Sequence, residues 1–288
     1  MASAPEKSSA PEKSPVHGAT VLITGAARGM GALYARRAVA AKAAAIALWD
    51  IDADAAGRLA TDLSRSGVDV RAYRVDVSSL KSIRRGLKEV RRDMGAPNIL
   101  VNNAGIVRGA PFWEHDPERD IEGTMRVNTL AAMWLTREVL PDMIADVSRQ
   151  QRVLNIASAA GTLANPNMSV YAASKWAMIG WSDSVRLELA KAGHGHIAVT
   201  TFCPSYISTG MFAGARGPLL TPIMTPEKAT RAAWNGMLRG TPIVMRPWTV
   251  KFAAALRGAL PTRLWDQIAG RVFNVYSSMD EFTGRAKG

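Results

Sequence analysis

Val21-Leu22-Ile23-Thr24-Gly25-Ala26-Ala27-Arg28-Gly29-Met30-Gly31 is the stretch from which the fold is read. A short, continuously apolar run enters glycines, and Ala-rich residues of helix-forming composition follow through position 41. Ile46-Ala47-Leu48-Trp49 is apolar again, so the parse is strand, helix, strand. Strands that are apolar throughout are covered on both faces, and two of them joined by a helix lie parallel through a right-handed crossover. Glycines at the first junction permit a tight turn and close backbone approach. They also leave the N–H groups of the next helical turn free toward a pyrophosphate. The spacing is Gly-x-x-x-Gly-x-Gly, and a purely structural turn is the competing reading.

The alternation continues outward. An amphipathic stretch at 53–66, an apolar run at 70–75, a charged helix at 79–93 and a strand at 99–101 precede helices across 117–149. A strand at 153–156, a helix at 172–192 and a strand at 197–202 complete it. This predicts an α/β fold with a doubly wound parallel sheet in one domain over residues 18–246. Residues 1–17 hold the repeat Ala4-Pro5-Glu6-Lys7-Ser8 and Ala10-Pro11-Glu12-Lys13-Ser14 and are expected to form a flexible tail. Residues 247–288 are expected to form a C-terminal amphipathic helical extension.

Composition narrows the class. With 48% hydrophobic and 21% charged residues over 288, the chain can bury a sizeable core, and no window is long and apolar enough to span a membrane. The single cysteine, Cys203, forms no intramolecular disulfide, and there is no secretory signal, so a cytoplasmic protein is expected. His115, His194 and His196 have no ligand partners at useful spacing; they read as surface residues, and no metal site is expected. The net charge of +12 is uneven, with twelve basic and four acidic residues over 189–288. Charge alone admits nucleic acid, a phospholipid surface, an anionic cofactor or no specific partner. No recognition motif accompanies it, so nucleic acid is set aside.

Asp50 ends the second strand, at the distance where a carboxylate accepts hydrogen bonds from adenosine ribose hydroxyls and repels a 2′-phosphate. That favours NAD(H) over NADP(H), and Asp52 adds to the repulsion, whereas Arg28 in the glycine turn argues for NADP. Asp50 also reads as an acid ahead of the helix at 53–66. Farther on, Tyr171 and Lys175 stand one helical turn apart on one face. A neighbouring ammonium favours the phenolate of a tyrosine. Ser158 follows the strand at 153–156, Asn102-Asn103-Ala104-Gly105 ends the strand before it, and Asn128 begins another helix. Such ends converge on one crevice in open α/β sheets.

Taken together, Thr24-Gly25-x-x-x-Gly29-x-Gly31, Asp76-Val77, Asn102-Asn103-Ala104-Gly105, Asn128, Ser158, Tyr171-x-x-x-Lys175 and Pro204-Ser205-x-Ile207-x-Thr209 resemble the short-chain dehydrogenase/reductase family over residues 19–250. Ser205 departs from the glycine the family often has there. The resemblance implies a Rossmann-type sheet and a role for each residue. Tyr171 is the general acid/base, Ser158 bonds the same substrate oxygen, Lys175 holds the nicotinamide ribose and lowers the Tyr171 pKa, and Asn128 positions water in a relay. Gly25, Arg28, Gly29, Met30 and Gly31 form the phosphate turn, and Asp76 and Val77 meet the adenine. Asn103, Ala104 and Gly105 line the cofactor, and Pro204, Ile207 and Thr209 close on the nicotinamide.

Within the family, Leu48-Trp49-Asp50-Ile51-Asp52, Ala157-Ser158-Ala159-Ala160-Gly161, Cys203-Pro204 and Thr209-Gly210-Met211-Phe212 are similar to the NAD-preferring retinol and 17β-hydroxysteroid dehydrogenase branch of the endoplasmic reticulum and lipid droplets. That branch carries an N-terminal hydrophobic anchor. The polar repeat here leads to the expectation of a cytoplasmic, at most membrane-peripheral, protein.

Residues 206–225 read as an apolar flap carrying Tyr206, Ile207, Met211, Phe212, Leu219, Leu220, Ile223 and Met224, suited to a lipophilic alcohol or ketone. A core or subunit-contact loop is the alternative. Residues 248–276 set Trp248, Phe252, Leu256, Leu260, Leu264, Trp265, Ile268, Val272 and Phe273 at helical spacings among Lys251, Arg257, Arg263 and Arg271. This reads as peripheral membrane contact or as packing in a homo-oligomer, a dimer or tetramer. The leading expectation is an NAD(H)-dependent oxidoreductase of a lipophilic alcohol, of retinoid, steroid or fatty alcohol type. An NADP(H)-dependent ketoreductase and a non-catalytic, membrane-associated dinucleotide-binding scaffold stand as rivals.

Overall fold

In the computed structural model, residues 14–217 and 221–284 are described. The first elements are β1 (Thr20–Thr24), α1 (Gly29–Ala40), β2 (Ala45–Asp50), α2 (Ala53–Ser64), β3 (Asp69–Arg74), α3 (Leu80–Met94) and β4 (Ile99–Asn102). A wide π-helical turn, Pro117–Glu122, leads through α4 (Gly123–Met125) into a second, Arg126–Leu130, and then α5 (Ala131–Ala145). The chain closes with β5 (Gln151–Ile156), α6 (Ser169–Lys191), β6 (Ile197–Pro204), α7 (Pro226–Leu238), β7 (Ile243–Arg246), α8 (Trp248–Ala259) and α9 (Thr262–Gln267).

The strands form one seven-stranded sheet in the order β3-β2-β1-β4-β5-β6-β7, and every pairing is parallel. β1 and β5 are buried along their whole length, with the apolar cores Val21–Ile23 and Val153-Leu154 covered on both faces and the polar Gln151, Arg152 and Asn155 of β5 buried with hydrogen-bond partners. One apolar layer holds Val21, Ile23, Tyr34, Ile46, Phe202 and Trp234, and the other holds Leu22, Trp49, Leu87, Leu100, Leu135 and Val153. Between β4 and β5, Asn102 Nδ2 donates to Asn155 Oδ1 at 2.8 Å, and Asn155 Nδ2 donates to Ser182 Oγ at 2.8 Å. These bonds satisfy buried amides beside the carboxyl ends of the strands.

Three expectations are adjusted. The expected tail overshoots the packed body, because Val16 is fully buried and Arg149 donates to the carbonyls of Pro15, His17 and Gly18; residues 1–13 lie outside the described residues. The helical pattern over 248–276 is broken at Leu260, which is extended ahead of Pro261. Proline has no N–H to donate and disfavours a helical residue before it. His115 is buried rather than on the surface, with Nε2 3.2 Å from the Ala110 carbonyl. His196 Nε2 lies 3.0 Å from the Met143 carbonyl.

Candidate active site

The first strand–helix junction is built by main chain approaching main chain. Gly25 sits at φ +62°, and a Cβ there would lie 2.9 Å from the Ala104 Cα. A Cβ on Gly31 would lie 2.8 Å from the Ala26 Cα, 2.9 Å from Asn103 Nδ2 and closer still to the Gly25 carbonyl. Asn103 and Ala104 donate their N–H groups to Thr24 Oγ1, each at 3.0 Å, and Asn103 Nδ2 donates to the carbonyls of Thr24 and Gly25. The ends of β1 and β4 are thereby stapled into one rigid floor.

Asp50 turns both oxygens onto the same floor: Oδ2 accepts from Ala27 N at 2.9 Å and Oδ1 from Asp52 N at 3.0 Å. Asp52 caps α2 through Ala55 N and pairs with Arg28 at 3.0 Å. The cation that argued for a 2′-phosphate therefore already has a carboxylate. Asp76 Oδ1 accepts from the N–H and the hydroxyl of Ser78.

These groups line one groove. It runs past Gly25, Arg28, Gly29, Met30 and Asp50, along Asp76 and Val77, over Asn103, Ala104 and Gly105, to Tyr171, Lys175, Pro204, Ile207 and Thr209. Gly31 lies beneath it, buried at the start of α1. The steric demand at Gly25 and Gly31 and the N–H groups of the α1 turn fit a dinucleotide pyrophosphate.

At the far end of the groove, Ser158 follows β5 and its Oγ accepts from Ala160 N at 3.1 Å. Tyr171 and Lys175, one turn apart on α6, are both buried. Lys175 Nζ donates to the Ile156 carbonyl at 2.9 Å and lies 5.7 Å from the centre of the Tyr171 ring. Burial comes first among the causes that set the Tyr171 pKa, and Lys175 does not figure among them. Burial raises the phenol to about 12, and the neighbouring Ser158 hydroxyl opposes that rise. The same burial lowers Lys175 to about 8. Asn128 stands in the π-helical turn, where Oδ1 accepts from Ile106 N at 2.8 Å and Nδ2 donates to the Ile106 carbonyl and Ser174 Oγ. Its side chain therefore braces the segment after β4 against α6. The buried Cys203 thiol, raised to about 12 by burial, packs with Ala157 and Met178.

Beyond Ser158, Ser205 and Phe212, which line both spaces, the groove gives way to an apolar cavity. Its walls include Leu163, Met168, Tyr206, Trp248, Phe252 and Trp265. Phe212 sets its edge against both Tyr171 and Tyr206, with ring centres 5.8 and 5.3 Å away. Of the expected flap residues, Leu219 and Leu220 lie outside the described residues.

Side chains without a sequence motif back the cavity wall. Tyr206 Oη and Ser278 Oγ are 2.9 Å apart, and Asn165 Nδ2 donates to both. Met279, buried, packs with Tyr171 and Met168, while Arg216 N donates to the Ser278 carbonyl and Thr283 N to that of Ala213. Residues 278–283, a C-terminal strap, are thus joined to the 206–216 segment beside Tyr171. Asn165, Ser278 and Met279 carry only long-range signals; the polar Asn165 amid apolar neighbours was the nearest to a local one.

The short chain dehydrogenase family model matches residues 19–218. Epidermal retinol dehydrogenase 2 of Mus musculus is 35% identical over 94% of this chain and 87% of its own length. Estradiol 17-beta-dehydrogenase 11 of Rattus norvegicus is 32% identical over 91% and 86%. Among solved structures, a short chain dehydrogenase/reductase from Burkholderia phymatum in complex with NAD superposes with a TM-score of 0.77 at 22% identity, over 85% of this chain and 94% of that one. A short-chain dehydrogenase from Sphingobium yanoikuyae in complex with NADPH gives 0.72 at 30% identity, over 84% and 93%.

Proposed function

Because the chain belongs to the short-chain dehydrogenase family, oxidoreductases that act on CH–OH groups with NAD(P), we propose that it uses NAD(H) to interconvert a lipophilic alcohol and its carbonyl compound. The observation that carries this reading is the meeting of the dinucleotide groove and the apolar cavity at Ser158, beside Tyr171. A carbinol placed there touches both residues while its apolar body fills the cavity.

The bound nicotinamide supplies hydride acceptance or donation. Tyr171 exchanges the proton with the substrate oxygen, and Ser158 holds that oxygen by a hydrogen bond. The raised Tyr171 keeps its proton at neutral pH, so it is loaded as the acid for carbonyl reduction; alcohol oxidation gains as rising pH frees the phenolate. Lys175, anchored by its donation to the Ile156 carbonyl, would hold the nicotinamide ribose, and Asn128 braces the segment after β4 beside it.

NAD rather than NADP is supported by Asp50 at the ribose end and by the engagement of Arg28 with Asp52, which leaves no free cation in that turn among the described residues. Retinol and estradiol, named for the relatives, are alcohols of the size and polarity class proposed here. A panel of retinoids, steroids and long-chain alcohols, followed by NAD reduction, tests the proposal. Turnover of at least one lipophilic alcohol is expected, and turnover confined to small polar alcohols would contradict it.

A further inference from the structure

The cavity opens at the carboxyl end of a parallel sheet, so each segment that follows a strand emerges on that side. Large apolar side chains are exposed there from three separate connections. Trp113 after β4 is 85% exposed and Trp248 after β7 is 69% exposed; Ile223 after β6 and Phe252, Leu264 and Val272 after β7 are exposed as well. Trp248 and Phe252, with ring centres 6.2 Å apart, are at once cavity wall and outer surface.

Cations stand among these side chains. Arg246, Lys251, Arg257, Arg263 and Arg271 face a single carboxylate over residues 246–272, Asp266, whose Oδ1 accepts from the Tyr276 hydroxyl. None of the five is in an ion pair among the described residues, and Arg257 lies over the Trp176 ring at 4.7 Å. Glu114, Asp116 and Glu118 near Trp113, Glu227 after Ile223, and Asp280 and Glu281 in the strap are acids on neighbouring segments; Glu281 pairs with Arg216. Exposed indoles beside unpaired cations suit a phospholipid interface, where rings sit at headgroup level and cations meet phosphates. A two-fold contact through the same face would set the cations of one copy against those of the other.

We propose that this face docks on a bilayer carrying anionic headgroups, with α8 at the interface and the cavity mouth turned toward the acyl chains. Docking stands on exposure and charge. The delivery of substrate directly from the bilayer rests on the lipophilic reading given above.

Sedimentation of the full chain with phosphatidylcholine vesicles, with and without phosphatidylserine, at low ionic strength tests docking without any substrate. Binding is expected to the phosphatidylserine vesicles and to weaken with salt. The triple variant K251Q/R263Q/R271Q is expected to lose roughly 100-fold in partition, from about fivefold per cation. L264E/V272E is expected to weaken binding while circular dichroism shows the fold retained. No vesicle binding, equal partition of the triple variant, or a soluble dimer that requires Leu264 and Val272 would overturn the proposal. Absence of vesicle binding with alcohol turnover intact strikes docking alone; vesicle binding without turnover strikes the enzymatic reading alone.

Discussion

Gly31 and Trp265 stand on opposite sides of Ser158 and are constrained in opposite ways. At Gly31 the backbone of the β1–α1 turn comes so close to Ala26 and Asn103 that there is no room for a Cβ. Trp265 is a large, buried side chain that fills space between helices, and its constraint is volume. The floor of the groove at the β1–α1 turn is therefore main chain held by hydrogen bonds at fixed distances. The cavity is assembled from side chains contributed over residues 158–275. A small change in the groove alters geometry, whereas a large change in the cavity alters capacity. Cofactor binding should accordingly be brittle and substrate choice tunable.

The sharpest way to break that contrast is Gly31→Ala. The added carbon has backbone on two sides, and cofactor affinity is expected to fall roughly 100-fold or more by isothermal titration, in line with the 1 Å sensitivity of positioned sites. If NADH binds the variant normally, the groove is not the rigid element described. Next in size, Asp50→Ser removes the carboxylate proposed to face the ribose, and the NAD-to-NADP preference in kcat/KM is expected to drop by about tenfold or more, a change of about 1.4 kcal/mol.

On the cavity side, Phe252→Ala is expected to raise KM for a lipophilic alcohol by about tenfold while leaving NADH affinity unchanged, because the lost contact is apolar and remote from the groove. A matching loss of NADH affinity would erase the distinction between the two regions.

A further effect, on stability rather than on binding or turnover, concerns Lys175, which the floor of the site buries at a cost. Its folded pKa of about 8 lies below the ordinary value of 10.5. Below pH 8 both folded and unfolded chains carry the charge, and the penalty is fully present. Between pH 8 and 10.5 the unfolded chain holds the extra proton, so stability rises with pH. Relative to Lys175→Met, the protein is expected to gain up to about 3 kcal/mol across that window in urea unfolding. The raised Tyr171 acts above pH 10, where the unfolded phenol ionises first and stability falls. A flat difference between the two proteins from pH 7 to 9.5 would contradict the burial argument.

The same contrast explains how much was legible in the sequence. Demands that are local in the chain leave local marks: apolar strands, the glycines at 25, 29 and 31, Asp50 ending β2, and Tyr171 and Lys175 one turn apart. The sheet and the lining of the groove follow from these. Val16 entering the core, His115 folding under Ala110 and the hydrogen-bonded Asn165, Tyr206 and Ser278 depend on partners far away in sequence. No residue-type rule at those positions announces them. For Lys175 and Tyr171 the spacing announces the proximity of a cation, but not the burial that raises the phenol and lowers the ammonium. Nor does the sequence announce that Arg28 pairs with Asp52, 24 positions on.

Turnover by Tyr171→Phe, measured together with NADH binding, tests the central claim most directly. Removing the hydroxyl leaves the groove intact, so NADH affinity is expected to change little while kcat falls by about 10³-fold or more. A variant that retains turnover on a lipophilic alcohol would contradict the assignment of proton transfer to Tyr171, and with it the reading of the groove and cavity as one active site.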